Sequence, residues 1–187
     1  MLPDGTHFAI IKAGEGTYPT FFYFATTDVP CHGADAREAE PPELARWRFR
    51  NDRGESFTEN FVAKCSRVLS HLISTGHADP KRVFASGISR GAFCALSMAE
   101  ADARILGIAA LAPVTDLTAL TEFDGVDAPI DRIDTRALAS RSLLIAMALS
   151  DPRVSTDKAL SLSRAIASST AAGKTDIDTL PEGVASN

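Results

Sequence analysis

The distribution of apolar and polar positions divides the chain into unlike stretches. Two short apolar runs with strand character stand near the beginning, at residues 8–12 and 20–25. Between them lies Ala-Gly-Glu-Gly-Thr-Tyr-Pro, whose glycines and proline predict a hairpin connector. Residues 27–55 are polar, with prolines at 30, 41 and 42, and predict irregular structure. The period then changes. Ser56 and Glu59 have capping-box spacing, and Phe57, Phe61, Cys65, Val68, Leu69 and Leu72 recur at three and four. That pattern predicts an amphipathic helix over 56–75, with Gly76 placed to stop it.

Beyond Asp79-Pro80 the pattern becomes strand then helix, repeated. Strands are predicted at 83–86, 105–111 and 143–148, helices at 91–101 and 156–168, and a weak last strand at 177–180. This rhythm is the mark of an α/β fold with a mostly parallel sheet flanked by helices. Continuously apolar strands further predict a sheet buried on both faces. No internal repeat or low-complexity tract interrupts 1–187, which reads as a single domain.

Composition narrows the function. The chain has 187 residues with 19 Lys and Arg against 24 Asp and Glu, a net charge of −5, so the basic footprint of a nucleic-acid binder is missing. The same balance makes acidic membranes poor partners, and no apolar run approaches the roughly 20 residues needed to span a bilayer. The opening Met-Leu-Pro-Asp-Gly-Thr-His lacks the charged and apolar regions of a secretory signal, which predicts a cytoplasmic protein. Cys31, Cys65 and Cys94 are odd in number and form no C-x-x-C pair, against a disulfide framework or a zinc site.

The strongest chemical signal is Gly87-Ile88-Ser89-Arg90-Gly91, a G-x-S-x-G pentapeptide between a predicted strand and a predicted helix. In a nucleophile elbow the serine occupies a strained turn, and glycines on either side let strand and helix approach. Ser89 Oγ would then stand at the carboxyl end of the sheet, with the Arg90 N–H aimed at a developing oxyanion. The plainer alternative is an ordinary tight turn. A serine nucleophile needs a base, and the base an orienting carboxylate. Asp151 and Asp116 each follow a predicted strand and compete for that role, though Asp116 fits equally as the cap of a helix over 116–122 and Asp151 as a turn residue before proline. Trp47 with Arg46, Arg48 and Arg50 suggests an anion patch, but three arginines flanked by acidic residues read rather as a solvated stretch, and Cys94 reads as core packing.

The stretch from Asp79-Pro80-Lys81-Arg82-Val83 through Gly91-Ala92-Phe93 resembles the fifth strand and elbow of the α/β-hydrolase superfamily, closest to its prolyl-oligopeptidase and dienelactone-hydrolase-like members. Ser150-Asp151-Pro152-Arg153-Val154 resembles the turn where that group carries its triad acid. The resemblance implies Ser89 as nucleophile, Asp151 rather than Asp116 as acid, the Arg90 N–H as oxyanion donor, and no cofactor or metal. It implies an esterase-like serine hydrolase acting on a small-molecule ester or acyl substrate. The family order is Ser, Asp, His, yet His7, His32, His71 and His77 all precede Ser89. Where a Gly-His step is expected the chain reads Leu180-Pro181-Glu182-Gly183-Val184, so the fold is expected to be incomplete at the carboxyl end.

His32, in Pro30-Cys31-His32-Gly33, is the histidine best placed to substitute, because that segment resembles the loop after the family's fourth strand, a loop family members use for shape. His71 and His77 are expected to face solvent. If 20–25 is the third strand and 28–30 the end of the fourth, Thr26 and Thr27 are too short a parallel crossover. Either 20–30 is one strand or a strand-loop-helix segment is missing there; the second oxyanion donor then falls among Ala25, Thr26 and Thr27. The alternative function is a catalytically inert, truncated hydrolase or a binding pseudoenzyme. Oligomeric state is not encoded in any of these features.

Overall fold

A computed structural model of the chain describes residues 18–23 and 29–178. The expected strand at 8–12 and the candidate donors Ala25, Thr26 and Thr27 lie outside those residues. Four strands, β1 (Tyr18–Tyr23), β2 (Ala78–Ile88), β3 (Ile105–Leu111) and β4 (Ser142–Ala146), form one sheet in the order β1-β2-β3-β4, and all three pairings are parallel. Parallel neighbours require crossovers, and helices supply them. α1 (Ala45–Asn51) and α2 (Glu59–Ser74) lie between β1 and β2, α3 (Arg90–Ala101) joins β2 to β3, α4 (Thr135–Leu138) precedes β4, and α5 (Thr156–Asp178) follows it. The expected α/β class is the one observed.

Several local expectations are corrected. Val29 and Pro30 lie in a turn, and β1 pairs directly with β2, so the crossover from β1 runs through α1 and α2 and is not two residues long. The supposedly irregular 27–55 contains α1, with Trp47 fully buried and the Arg50 side chain only 3% exposed. Arg50 is paired with Glu40 at 2.8 Å and Asp35 at 2.9 Å, which is why three arginines around a tryptophan form an anchored helix and not a solvated stretch. Residues 177–178, expected in a strand, belong to α5, and 179–180 lie outside the described residues. β2 begins earlier than expected, at Ala78, and its pairing with β1 is irregular between Tyr18 and Thr20, opposite the segment that contains Pro80.

The core lies on one face of the sheet. Leu69 of α2, Ala92, Ala95, Leu96 and Ala99 of α3, and Leu162 and Ile166 of α5 pack with Val83, Ala85, Ile108 and Ala110. Period two sends the alternate residues to the other face, where Ile88 is 43% and Leu144 61% exposed. The predicted burial of both faces is therefore not met: a continuous apolar run says that neither face is polar, not that both are covered. Gly76, at φ +71°, ends α2 as expected. The start of α2 is held by a residue far away in sequence: buried Asp131 accepts from Ser56 Oγ at 2.7 Å and Phe57 N–H at 2.9 Å, and also from the Thr58 hydroxyl. No helix among the described residues is long and apolar enough to cross a membrane.

Near the end of α3, burial pushes the Glu100 carboxyl up to about 7, against a smaller opposing pull from the Asp134 N–H it accepts. Between its ordinary 4.5 and about 7 the folded chain holds a proton the unfolded chain has released, so stability falls as pH rises through that window. Thermal unfolding of Glu100→Gln is expected to lose this decline. An undiminished fall in melting temperature in the variant would remove Glu100 as its source.

Candidate active site

The turn joining β2 to α3 is built by two glycines and a strained serine. A Cβ on Gly87 would fall 2.2 Å from the Gly91 carbonyl oxygen and 2.6 Å from the Ala92 nitrogen, so only glycine permits this approach of strand to helix. Ser89 sits at φ 53° and ψ −119°, a conformation that costs a residue with a Cβ about 1–3 kcal/mol. The surrounding backbone enforces it: Ser89 N–H donates to Leu111 O at 2.9 Å, and Ser89 O accepts from Ala92, Phe93 and Val114 N–H at 3.0, 3.3 and 3.2 Å. The half-buried hydroxyl has no hydrogen-bond partner among the described residues. Arg90 and Gly91 open α3, and their N–H groups have no intrahelical acceptor.

A second turn approaches the first. Cys31 at φ 65° and Gly33 at φ 54° fold residues 29–33 back, with His32 N–H donating to Val29 O at 3.0 Å. Pro30 O accepts from Trp47 Nε1 and from His32 Nδ1, both at 2.9 Å. A carbonyl cannot donate, so Nδ1 carries the proton and Nε2 is the acceptor for Arg90 NH1 at 3.0 Å. Arg46 NH1 donates to Cys31 O at 3.1 Å. His32 is thus brought to the side chain of the residue after Ser89, across 58 positions of sequence.

The remaining histidines stand elsewhere. His77 immediately precedes β2 and Ser89 follows its last residue, so the two stand at opposite ends of that strand. His71 lies in the last turn of α2, which leads into the amino end of β2, opposite the end that carries Ser89. Neither is placed to act on Ser89.

Asp116 and Asp151 follow β3 and β4, at the sheet edge that carries Ser89. Asp116 Oδ1 accepts from Thr118 N–H at 2.9 Å, capping a 3-10 turn over Leu117–Ala119, and Oδ2 pairs with Lys158 Nζ at 2.6 Å. Burial acts to raise its carboxyl, but the bonds from Lys158 and Thr118 prevail and hold it below the usual range. Asp151 Oδ1 accepts from the N–H groups of Arg153 at 2.9 Å and Val154 at 3.2 Å. No histidine among the described residues bonds to either carboxylate.

A cleft of about 520 Å³ runs beside Asp116 and Lys158, with Phe93 and Asp131 in its wall; Ser89 is not among its lining residues. No group of His, Cys, Asp and Glu that could hold a metal ion occurs among the described residues. Cys94 is fully buried in the aromatic cluster around Trp47, and burial drives its thiol well above the ordinary range, as it drives Cys31 to about 12. Arg46, expected in a solvated stretch, has a buried Nε without a partner, and sequence reasoning missed Asp131 because it lies in no local pattern that could have found it.

No protein-family model matches the chain, and no curated protein matches it significantly. Solved structures do. A sugar hydrolase of Lactococcus lactis, YeeB, superposes with a TM-score of 0.58 at 14% identity over 84% of this chain and 72% of its own. A puromycin-hydrolyzing peptidase of Mycobacterium tuberculosis gives 0.50 at 21% identity over 66% of this chain and 22% of its own. A second puromycin hydrolase gives 0.50 at 22% identity, again over 66% of this chain, which spans 21% of that protein's length. At these identities the likeness concerns fold alone: the parallel sheet and its crossover helices follow the α/β-hydrolase type of architecture.

Proposed function

We propose that the protein is a serine hydrolase cleaving an ester or related acyl bond, with Ser89 as nucleophile in a nucleophile elbow. One observation carries this reading: Ser89 occupies a backbone conformation that favours glycine, clamped from both sides, with its hydroxyl unbonded among the described residues. A glycine would suit the turn better, so the side chain has to account for the strain. In the reaction Ser89 Oγ bonds to the acyl carbon while its proton passes through a base to the departing alcohol. Water then cleaves the acyl-enzyme, releasing the acid and restoring the hydroxyl. The Arg90 N–H, at the start of α3, supports the oxyanion. Asp151 fits the role of orienting carboxylate, since its own turn engages only Oδ1. No cofactor enters this chemistry.

A second reading, a binding protein without turnover, is favoured by the described histidines: none bonds to Asp151, and His32, the one at the serine turn, is engaged with Pro30 O and Arg90. Loss of a triad histidine lowers turnover on the order of 10⁶-fold, so the two readings differ widely in outcome. A fluorophosphonate probe on the folded chain decides between them. The hydrolase reading expects labelling of the wild type and none of Ser89→Ala; a folded wild type that stays unlabelled leaves the binding reading.

A further inference from the structure

Arg46 and Arg90 are half-buried guanidinium groups that reach consecutive residues of one turn, Arg46 through Cys31 O at 3.1 Å and Arg90 through His32 Nε2 at 3.0 Å. Neither has a carboxylate partner among the described residues. Their neighbours are different: Arg48 is paired with Asp52, and Arg50 with Glu40 and Asp35. The acid of the same turn, Asp35, is already committed, because its Oδ2 accepts from Arg50 NH1 at 2.9 Å and from Cys31 N–H at 2.7 Å. A second mark of incompleteness is Arg46 Nε, which is buried and has no hydrogen-bond partner. Leaving a buried charged donor unmatched is costly, and such atoms in a folded protein call for a ligand or another explanation. His32 cannot neutralise Arg90, since it meets the cation as a neutral acceptor with Nδ1–H tied to Pro30 O.

We infer that Arg46 and Arg90, the latter oriented by His32, form a carboxylate-binding recess beside the Ser89 turn, and that the substrate is a half-ester of a short dicarboxylic acid. This rests on the hydrolase reading for the substrate and on geometry alone for the recess. A guanidinium is the side chain best matched to a planar carboxylate, which it holds through two parallel N–H donors. Arg90 opens α3 directly after Ser89, so an anion held by its side chain is bound through the residue next to the hydroxyl-bearing one. A site built around such donors rejects an analogue that lacks the acceptor far more strongly than an apolar pocket rejects a missing methylene. Hydrolysis adds water across the ester, giving the dicarboxylate and the alcohol.

The test is a titration of the full chain, as Ser89→Ala, with monomethyl glutarate, dimethyl glutarate and inorganic phosphate, followed by calorimetry or by chemical shifts of the arginine side chains. The half-ester is expected to bind at least tenfold more tightly than the diester and than phosphate. Arg46→Gln and Arg90→Gln are each expected to weaken it about tenfold, and Arg90→Lys, which keeps the charge, to restore part of the loss in a protein of unchanged melting temperature. Equal affinity for half-ester and diester, no binding, or indifference to both arginines overturns the recess. Phosphate binding as tight as the half-ester overturns the carboxylate assignment. Because Ser89→Ala cannot turn over, these outcomes are independent of probe labelling: binding without labelling fails the hydrolase and keeps the recess, and labelling without binding does the reverse.

Discussion

Gly87→Ala is expected to destabilise the protein by about 3 kcal/mol, at the upper end of what an added methyl group costs in a packed interior. The new carbon would lie 2.2 Å from Gly91 O and 2.3 Å from the carbonyl carbon behind it. Both are backbone atoms, and no rotamer change relieves such a contact. The helix cannot easily retreat either, since residues 91–99 of α3 are all buried between the sheet and its neighbours. A useful contrast is Gly54→Ala: that glycine has φ +73° and nothing within 4 Å, so an alanine there meets only backbone strain. Urea unfolding of the two variants should separate them clearly. A Gly87→Ala protein within about 0.5 kcal/mol of wild type would mean that β2 and α3 part readily, and the clamp on Ser89 would lose its basis.

The same turn shows what could be read from the sequence. Gly87 and Gly91 flank Ser89 at fixed spacing, and the strand before and helix after are both strongly patterned, so a tight strand-to-helix turn is legible without coordinates. The expected strand at 105–111 matches β3 residue for residue, and the helix expected over 56–75 is observed as Glu59–Ser74. Each of these is a local period repeated over several residues. What escaped has no period. α1 is seven residues long, and it is held by Arg50 bridging to Glu40 and Asp35 and by Trp47 burying its ring. Asp131 anchors the start of α2 from more than 70 positions downstream. The contact of His32 with Arg90 spans 58 positions; the resemblance singles out His32 as the best-placed histidine, but that its ring meets the Arg90 side chain is visible only in the folded chain. The covering of only one sheet face was illegible for a related reason: Leu143 and Leu144 look alike in sequence, yet one packs against the core and the other is 61% exposed.

Trp47→Ala is expected to cost about 4 kcal/mol and to loosen the second turn of the site. The indole is fully buried, stacked on Phe57 at 4.5 Å between ring centres and tilted against Phe93 at 5.7 Å. Phe93 belongs to α3, so the cluster ties α1 to the helix that follows Ser89. Its Nε1 also donates to Pro30 O, the carbonyl that sets the tautomer of His32. Trp47→Phe tests the two contributions apart: it keeps an aromatic ring but removes the donor, and a single hydrogen bond is worth about 1 kcal/mol. The chain contains one tryptophan, so its fluorescence in the wild type reports this cluster alone, and urea unfolding should shift emission to the red in step with the loss of helical circular dichroism. In Trp47→Phe, where most stability remains, the imidazole resonances of His32 should move, because Pro30 O then has one donor in place of two. Unmoved His32 signals together with a Trp47→Ala penalty below about 1 kcal/mol would show that the turn stands without its tryptophan anchor, and that α1 is not what places His32 against Arg90.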